Sequence, residues 1–213
     1  ATILRVRNSL DTIKERQKQL ELETQRLSEK AETDQLTGIA NRYRMSRFTP
    51  EAFERCRAEH IPLSYEILDI DYFKQYNDNY GHQQGDECII AIADELKKME
   101  DGQTFCARYG GDEFIIIYAG ISAEEVYAKA GALRQNIMNL KLEHLYSNAL
   151  PIVTISQGIS YGIPENGNRS WDFLHTADML LYQVKKKSRN DICIADIRGQ
   201  ELDLSSKQEK VEP

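Results

Sequence analysis

The chain has 213 residues, of which 41% are hydrophobic, and a formal net charge of −7. That length holds one domain of roughly 150–170 residues plus flanking segments, with enough apolar material for a buried core. The acidic balance argues against a duplex nucleic-acid partner, and no apolar run approaches the roughly 20 residues that span a bilayer.

Residues 1–33 contain neither Gly nor Pro and are rich in Gln, Glu, Lys and Arg. Val6, Ile13, Leu20 and Leu27 recur every seven residues, while the second row, Ile3 and Leu10, turns polar at Gln17 and Thr24. This predicts a linker helix that forms a weak or adjustable parallel coiled coil, or else an amphipathic helix packed on its own domain. The start lacks an initiator Met and is already helical in pattern, so a fragment of a longer chain, with a sensor domain upstream, is expected. Cys56, Cys88, Cys106 and Cys193 form no C-x-x-C pair and these residues show no signal-peptide pattern, so a reduced, cytoplasmic protein is expected, or one whose full-length form is membrane-anchored through upstream segments.

A Gly-containing turn over residues 34–42 breaks the heptads. Thr49 as N-cap and Pro50 as first helical residue predict a helix to about Glu59, ended by His60-Ile61-Pro62. A buried strand is expected over 63–70 and a helix over about 85–99. Strands at 105–109 and 113–118, a helix over about 122–142, a strand over 151–161, a helix over 170–187 and a strand over 191–195 follow. Residues 199–213 are charged and are expected to fray. The order is α/β, a central sheet of mixed strand direction flanked by helices. It divides as a linker helix (1–33), one domain (34–196) and a tail (197–213).

The most distinctive local feature is Arg108-Tyr109-Gly110-Gly111-Asp112-Glu113-Phe114. Gly-Gly between two strands makes a tight hairpin, because glycine accepts positive φ. On these residues alone its tip is either a pair of solvated acids or part of a metal site. Asp69 and Asp71 close the first strand in LDIDYFK, and a period of two points both to one face. Beside the hairpin they would crowd four carboxylates onto one edge, a costly arrangement that a magnesium ion relieves. Backbone N–H groups in the turn Asp71-Tyr72-Phe73-Lys74 can face phosphate oxygens, and Lys74 adds charge. In NDNYGHQQGD, Asp86 is either a helix cap or, with Asn77, a donor–acceptor set that selects guanine; His82 reads as structural. Lys185 and Arg189 share a helical face if the helix continues, as a solvated basic run or as a phosphate clamp.

Together DQLTGIANR, LDIDYFKQYNDNYGHQQGD, ARYGGDEF and ADMLLYQVKKKSRND resemble the GGDEF family of diguanylate cyclases over about residues 34–195. The resemblance implies a nucleotidyl-cyclase or palm-like fold that condenses two GTP molecules into cyclic di-GMP across an antiparallel homodimer. By it, Asp69, the carbonyl of Ile70 and Asp112 hold magnesium, for which manganese can substitute. Glu113 assists there, and Asp112 or Glu113 helps deprotonate the 3′-hydroxyl. Asn77 and Asp86 read guanine, Phe73 and Lys74 support the phosphates, and Lys185 and Arg189 grip them. The alternative is an inactive GGDEF module that binds GTP and acts in regulation. Tyr72 stands where the family often has His or Phe. The family's R-x-x-D product site corresponds here to Asp101-Gly102-Gln103-Thr104, so tight product inhibition through it is not expected. Gln157 stands where a small or apolar residue is commoner, and the sequence offers no reason for it.

Overall fold

A computed structural model describes residues 14–20, 23–24, 31–202 and 204. Every residue of β2 (Leu63–Ile70) is buried, which marks it as the sheet's centre. It pairs antiparallel with β4 (Glu113–Ala119) on one side and β5 (Ile155–Gly162) on the other. The six strands run in the order β1-β3-β4-β2-β5-β6. β1 (Ala40–Asn41) lies parallel to β3 (Thr104–Gly110), and β6 (Ile192–Asp196) parallel to β5. The sheet is therefore mixed, as expected.

Helices cover both faces. Met45, Ala52, Phe53 and Cys56 of α1 (Arg42–Glu59) and Phe173, Ala177 and Leu181 of α5 (Ser170–Lys187) pack with Leu63, Tyr65 and Ile67. On the opposite face, α3 (His82–Lys97) and α4 (Ala123–Asn139) bury their apolar stripes against Leu68, Ile70 and Ile116. At β5 the contact with α5 is backbone on backbone. A Cβ on Gly158 would fall 2.3 Å from the Ala177 carbonyl oxygen and 2.3 Å from the Leu181 nitrogen.

Several boundaries differ from the pattern-based expectation. α1 starts at Arg42, not at Pro50, because Asn41 caps it first: its Oδ1 accepts the Arg44 N–H at 3.0 Å. Pro50 lies inside the helix, and Thr49 Oγ1 donates to the Met45 carbonyl instead of capping. Residues expected to form an Asx/Gly turn make a further helix, α2 (Phe73–Tyr80), because Phe73, Tyr76 and Tyr80 form an i, i+3, i+7 stripe against the core. The turn is confined to Gly81 (φ 87°), and α3 starts at His82 rather than Gly85. α4 carries a Ser122–Glu125 capping box and stops at Asn139. β5 begins only at Ile155, since Glu143 and Ile152 meet in a single bridge.

Residues 14–20 and 23–24 are helical and exposed, Leu20 64% so, and hence do not lie against the domain. Ile3, Val6, Leu10, Ile13 and Leu27 fall outside the described residues. The tail expected to fray is ordered as far as it is described. Asp196 Oδ1 accepts the N–H groups of Arg198 and Gln200, Gly199 turns at φ 83°, and Leu204 returns to the core at 8% exposure. Among the described residues, no helix is long and apolar enough to cross a membrane.

Candidate active site

Asp69, the penultimate residue of β2, lies directly opposite Glu113, the first residue of β4, across the antiparallel ladder. The hairpin joining β3 to β4 turns through Gly111 at φ 54°, with a register shift between Arg108 and Gly110. That turn is tied down by Arg108, whose Nε and Nη2 donate to the Gly111 carbonyl at 3.0 and 2.8 Å. Arg108 Nη1 reaches Asp34 Oδ1 at 3.0 Å, and Thr37 donates to the same oxygen through its N–H and hydroxyl. The tip thus presents Asp112 and Glu113 from a braced turn.

From the other side, α5 delivers Lys185 Nζ to within 2.7 Å of Asp69 Oδ2. Burial pushes the Asp69 carboxyl up to about 6; Lys185 opposes this, and the charges of Asp112 and Glu113 add to it. Burial likewise raises Glu113, with Lys185 pulling it down and Asp112 and Asp178 pushing it further up. Three carboxylates therefore sense one another at this edge.

Asp71 does not join them, contrary to expectation. It is 1% exposed and accepts from Thr154 Oγ1 at 2.7 Å, Ser156 Oγ at 2.6 Å and the Asn190 N–H at 2.9 Å. Two hydroxyls and an amide satisfy it, so it fastens β5 and the chain beyond α5 to the end of β2. Among the described residues, no three acidic, His or Cys side chains form a ready-made cage. The donor set nevertheless fits a magnesium-type ion, which uses one or two carboxylates, keeps several waters and shares substrate phosphates. Of the expected ligands, Asp69, Asp112 and Glu113 bring carboxylates to this edge, and Ile70 follows Asp69 as the last residue of β2.

The turn from β2 into α2 carries Tyr72 in the left-handed region (φ 56°) as the N-cap of α2. Phe73 is buried in the core at 8% exposure, leaving its backbone for the turn, whereas Lys74 is exposed. Asn77 lies on α2 with its Oδ1 buried and accepting no hydrogen bond. The two helices meet here because residue 85 is Gly: a Cβ there would lie 1.8 Å from Asn77 Oδ1. Asp86 follows on α3, exposed and in the second turn, so it is not the helix cap. Arg189 does not share a helical face with Lys185. α5 ends at Lys187, and Arg189 and Asn190 take positive φ (52° and 44°), which folds Arg189 onto Tyr72.

Sequence reasoning missed this contact and missed His144, which is fully buried with Nε2 3.2 Å from the Tyr72 carbonyl oxygen. Nothing about a lone His in a loop points to that partner. Gln157 has a structural reason: its Nε2 donates to Glu66 Oε1 at 2.6 Å and to the Ala130 carbonyl at 3.2 Å. Asp101, in the stretch 101–104, accepts the N–H groups of Gln103 and Thr104 and lies 3.4 Å from Lys129 Nζ.

The family model described as diguanylate cyclase, GGDEF domain, matches residues 31–191. Among curated proteins, the chain is 34% identical over 168 residues to the probable diguanylate cyclase DgcC of Escherichia coli, covering 78% of this chain and 43% of that one. It is 35% identical over 175 residues to the diguanylate cyclase DgcP of Pseudomonas aeruginosa, covering 82% of this chain and 25% of that one. The chain thus spans less than half the length of either relative. Among solved structures, it resembles the coiled coil and GGDEF domain of DgcB from Caulobacter crescentus in complex with c-di-GMP. That match has a TM-score of 0.80 and 27% identity, and covers 89% of this chain and 99% of that one. The active GGEEF domain of a diguanylate cyclase from Vibrio cholerae matches with a TM-score of 0.62 and 31% identity, covering 72% and 96% of the two chains.

Proposed function

The chain belongs to the GGDEF diguanylate cyclase family, and from that premise we propose that it condenses two GTP molecules into cyclic di-GMP. The observation that carries this reading is the convergence of β2, β4 and α5: Asp69 opposite Glu113, with Lys185 on Asp69. An edge with three interacting carboxylates and one ammonium suits a metal-bound triphosphate better than it suits a solvated surface.

In this reading Asn77 Oδ1 and the Asp86 carboxylate accept hydrogen bonds from the N1–H and N2–H₂ groups of guanine, which adenine lacks. A buried acceptor without a donor, such as Asn77 Oδ1, favours a ligand that brings one. The backbone at Phe73 and Lys74 supports the phosphates, and Lys185 and Arg189 bind them as cations. Asp69, the Ile70 carbonyl, Asp112 and Glu113 would hold magnesium, or manganese in its place, which when bound would supply charge neutralisation at the reacting phosphate. The proton of the 3′-hydroxyl goes to one of the two carboxylates at the turn, Asp112 or Glu113. That 3′-oxygen attacks the α-phosphorus of the facing GTP, the bond to the bridging oxygen breaks, and pyrophosphate leaves. The same transfer in the opposite sense closes the ring.

Each domain holds one GTP, so two copies must face each other, and the segment preceding residue 31 raises their effective concentration. The reading also expects no tight product inhibition through residues 101–104. It is tested by incubating the protein with GTP and magnesium and analysing the products. Wild type should yield cyclic di-GMP and pyrophosphate, and Asp112→Ala neither. A folded wild type that binds GTP but forms no product would contradict it.

A further inference from the structure

Arg189 is the one expected phosphate ligand that lies beyond the end of its helix, so something other than the helix must hold it. Its guanidinium carbon stands 4.3 Å from the centre of the Tyr72 ring, and its Nη1 donates to the Tyr72 hydroxyl at 3.1 Å. Its Nε is 4.0 Å from Asp71 Oδ1. A guanidinium carries five N–H groups in a rigid plane. One face and one N–H are taken by Tyr72, and the side chain remains 34% exposed. The outer N–H groups therefore stay available over the turn that is proposed to receive the phosphates.

Tyr72 is itself held unusually firmly. It occupies the left-handed region, which costs a non-glycine residue about 1 kcal/mol or more. The fixed partner on its carbonyl is His144, whose Nε2 must carry the proton, since a carbonyl can only accept. Burial lowers the His144 pKa, while the hydrogen bond to Tyr72 and the charge of Asp71 oppose that shift. The next residue back, Asp71, is anchored by Thr154, Ser156 and Asn190. A strained backbone fixed from two sides is what a platform for another side chain requires.

We infer that Tyr72 is a positioning residue for GTP binding: its ring and hydroxyl hold Arg189 so that the free guanidinium N–H groups face the substrate phosphates. The inference rests on the cyclase reading for the identity of the substrate. The hydroxyl sets Tyr apart from Phe at this position, because Phe keeps the stack and loses the hydrogen bond. Tyr72 touches no substrate in this account and acts through Arg189.

The test is a double-mutant cycle read by KM and kcat for GTP, with direct GTP binding measured by calorimetry in parallel. Tyr72→Phe should raise KM roughly three- to tenfold and leave kcat unchanged. Tyr72→Asn, whose residue tolerates the left-handed backbone, should raise it roughly ten- to thirtyfold. In an Arg189→Ala background, neither change should raise KM by more than about twofold, because the group being positioned is gone. Equal effects with and without Arg189, or a fall in kcat at constant KM, would overturn the inference. If wild type binds GTP without turning it over, the cyclase reading fails while the binding cycle still decides the role of Tyr72. If wild type binds no GTP, both fall together.

Discussion

Glu66 is fully buried beneath α4, hydrogen-bonded by Gln157 Nε2 and by the Tyr118 hydroxyl at 2.8 Å. Burial pushes its carboxyl up to about 7 despite both donors. The folded state therefore holds this proton more tightly than the unfolded chain, whose carboxyl titrates near 4.3. Stability is fullest below that value and falls as pH rises toward 7, by on the order of 3 kcal/mol from this group alone. Glu66→Gln should flatten the fall: in urea melts from pH 4.5 to 7.5, wild type should lose more stability than the variant. Parallel curves would show that Glu66 is not the titrating group. None of this was legible beforehand, because Gln157 and Glu66 are 91 residues apart and only the β2–β5 register joins them. The two acids of LDIDYFK show the same limit. Alternation predicted their shared face, but not that two hydroxyls would enclose Asp71 and leave Asp69 to the site.

At the level of elements, β2, β3, β4, β6 and α5 were readable because their apolar patterns are regular, whereas β1, two residues inside the expected turn, was not. The aromatic stripe of α2 was not, since it spans only two turns among Asn, Asp and Gln. The edge where Asp69 and Glu113 meet required that β2 lie beside the hairpin, which motif order suggests but spacing alone does not compel. α5 carries Lys185, and its position depends on Gly158, where helix and strand backbones touch. Gly158→Ala should lift the helix, cost about 3 kcal/mol in denaturant unfolding and weaken GTP binding through Lys185. Unchanged stability with normal GTP affinity would mean that the two layers can slide apart freely. The contact, at Ala177 and Leu181, lies about one to two turns of helix before the lysine.

For the whole molecule, the proposed reaction between two GTP molecules on separate copies would make activity second order in protein while the copies are apart. Specific activity should rise with protein concentration and then level off. Removing residues 1–30 should shift the midpoint of that rise upward by about tenfold or more, while the plateau is kept. A midpoint indifferent to the deletion would assign pairing to the domain surface instead. Heptads were legible in the sequence, but a coiled-coil seam is completed by a second helix, which no pattern within one chain supplies.

Arg108 joins two places that the chain keeps far apart: the threshold where the upstream segment enters the domain, at Asp34, and the loop that displays Asp112, at Gly111. Asp34 and Gly111 thus share one guanidinium, so the position of the loop is referred to that threshold as well as to the β3–β4 ladder.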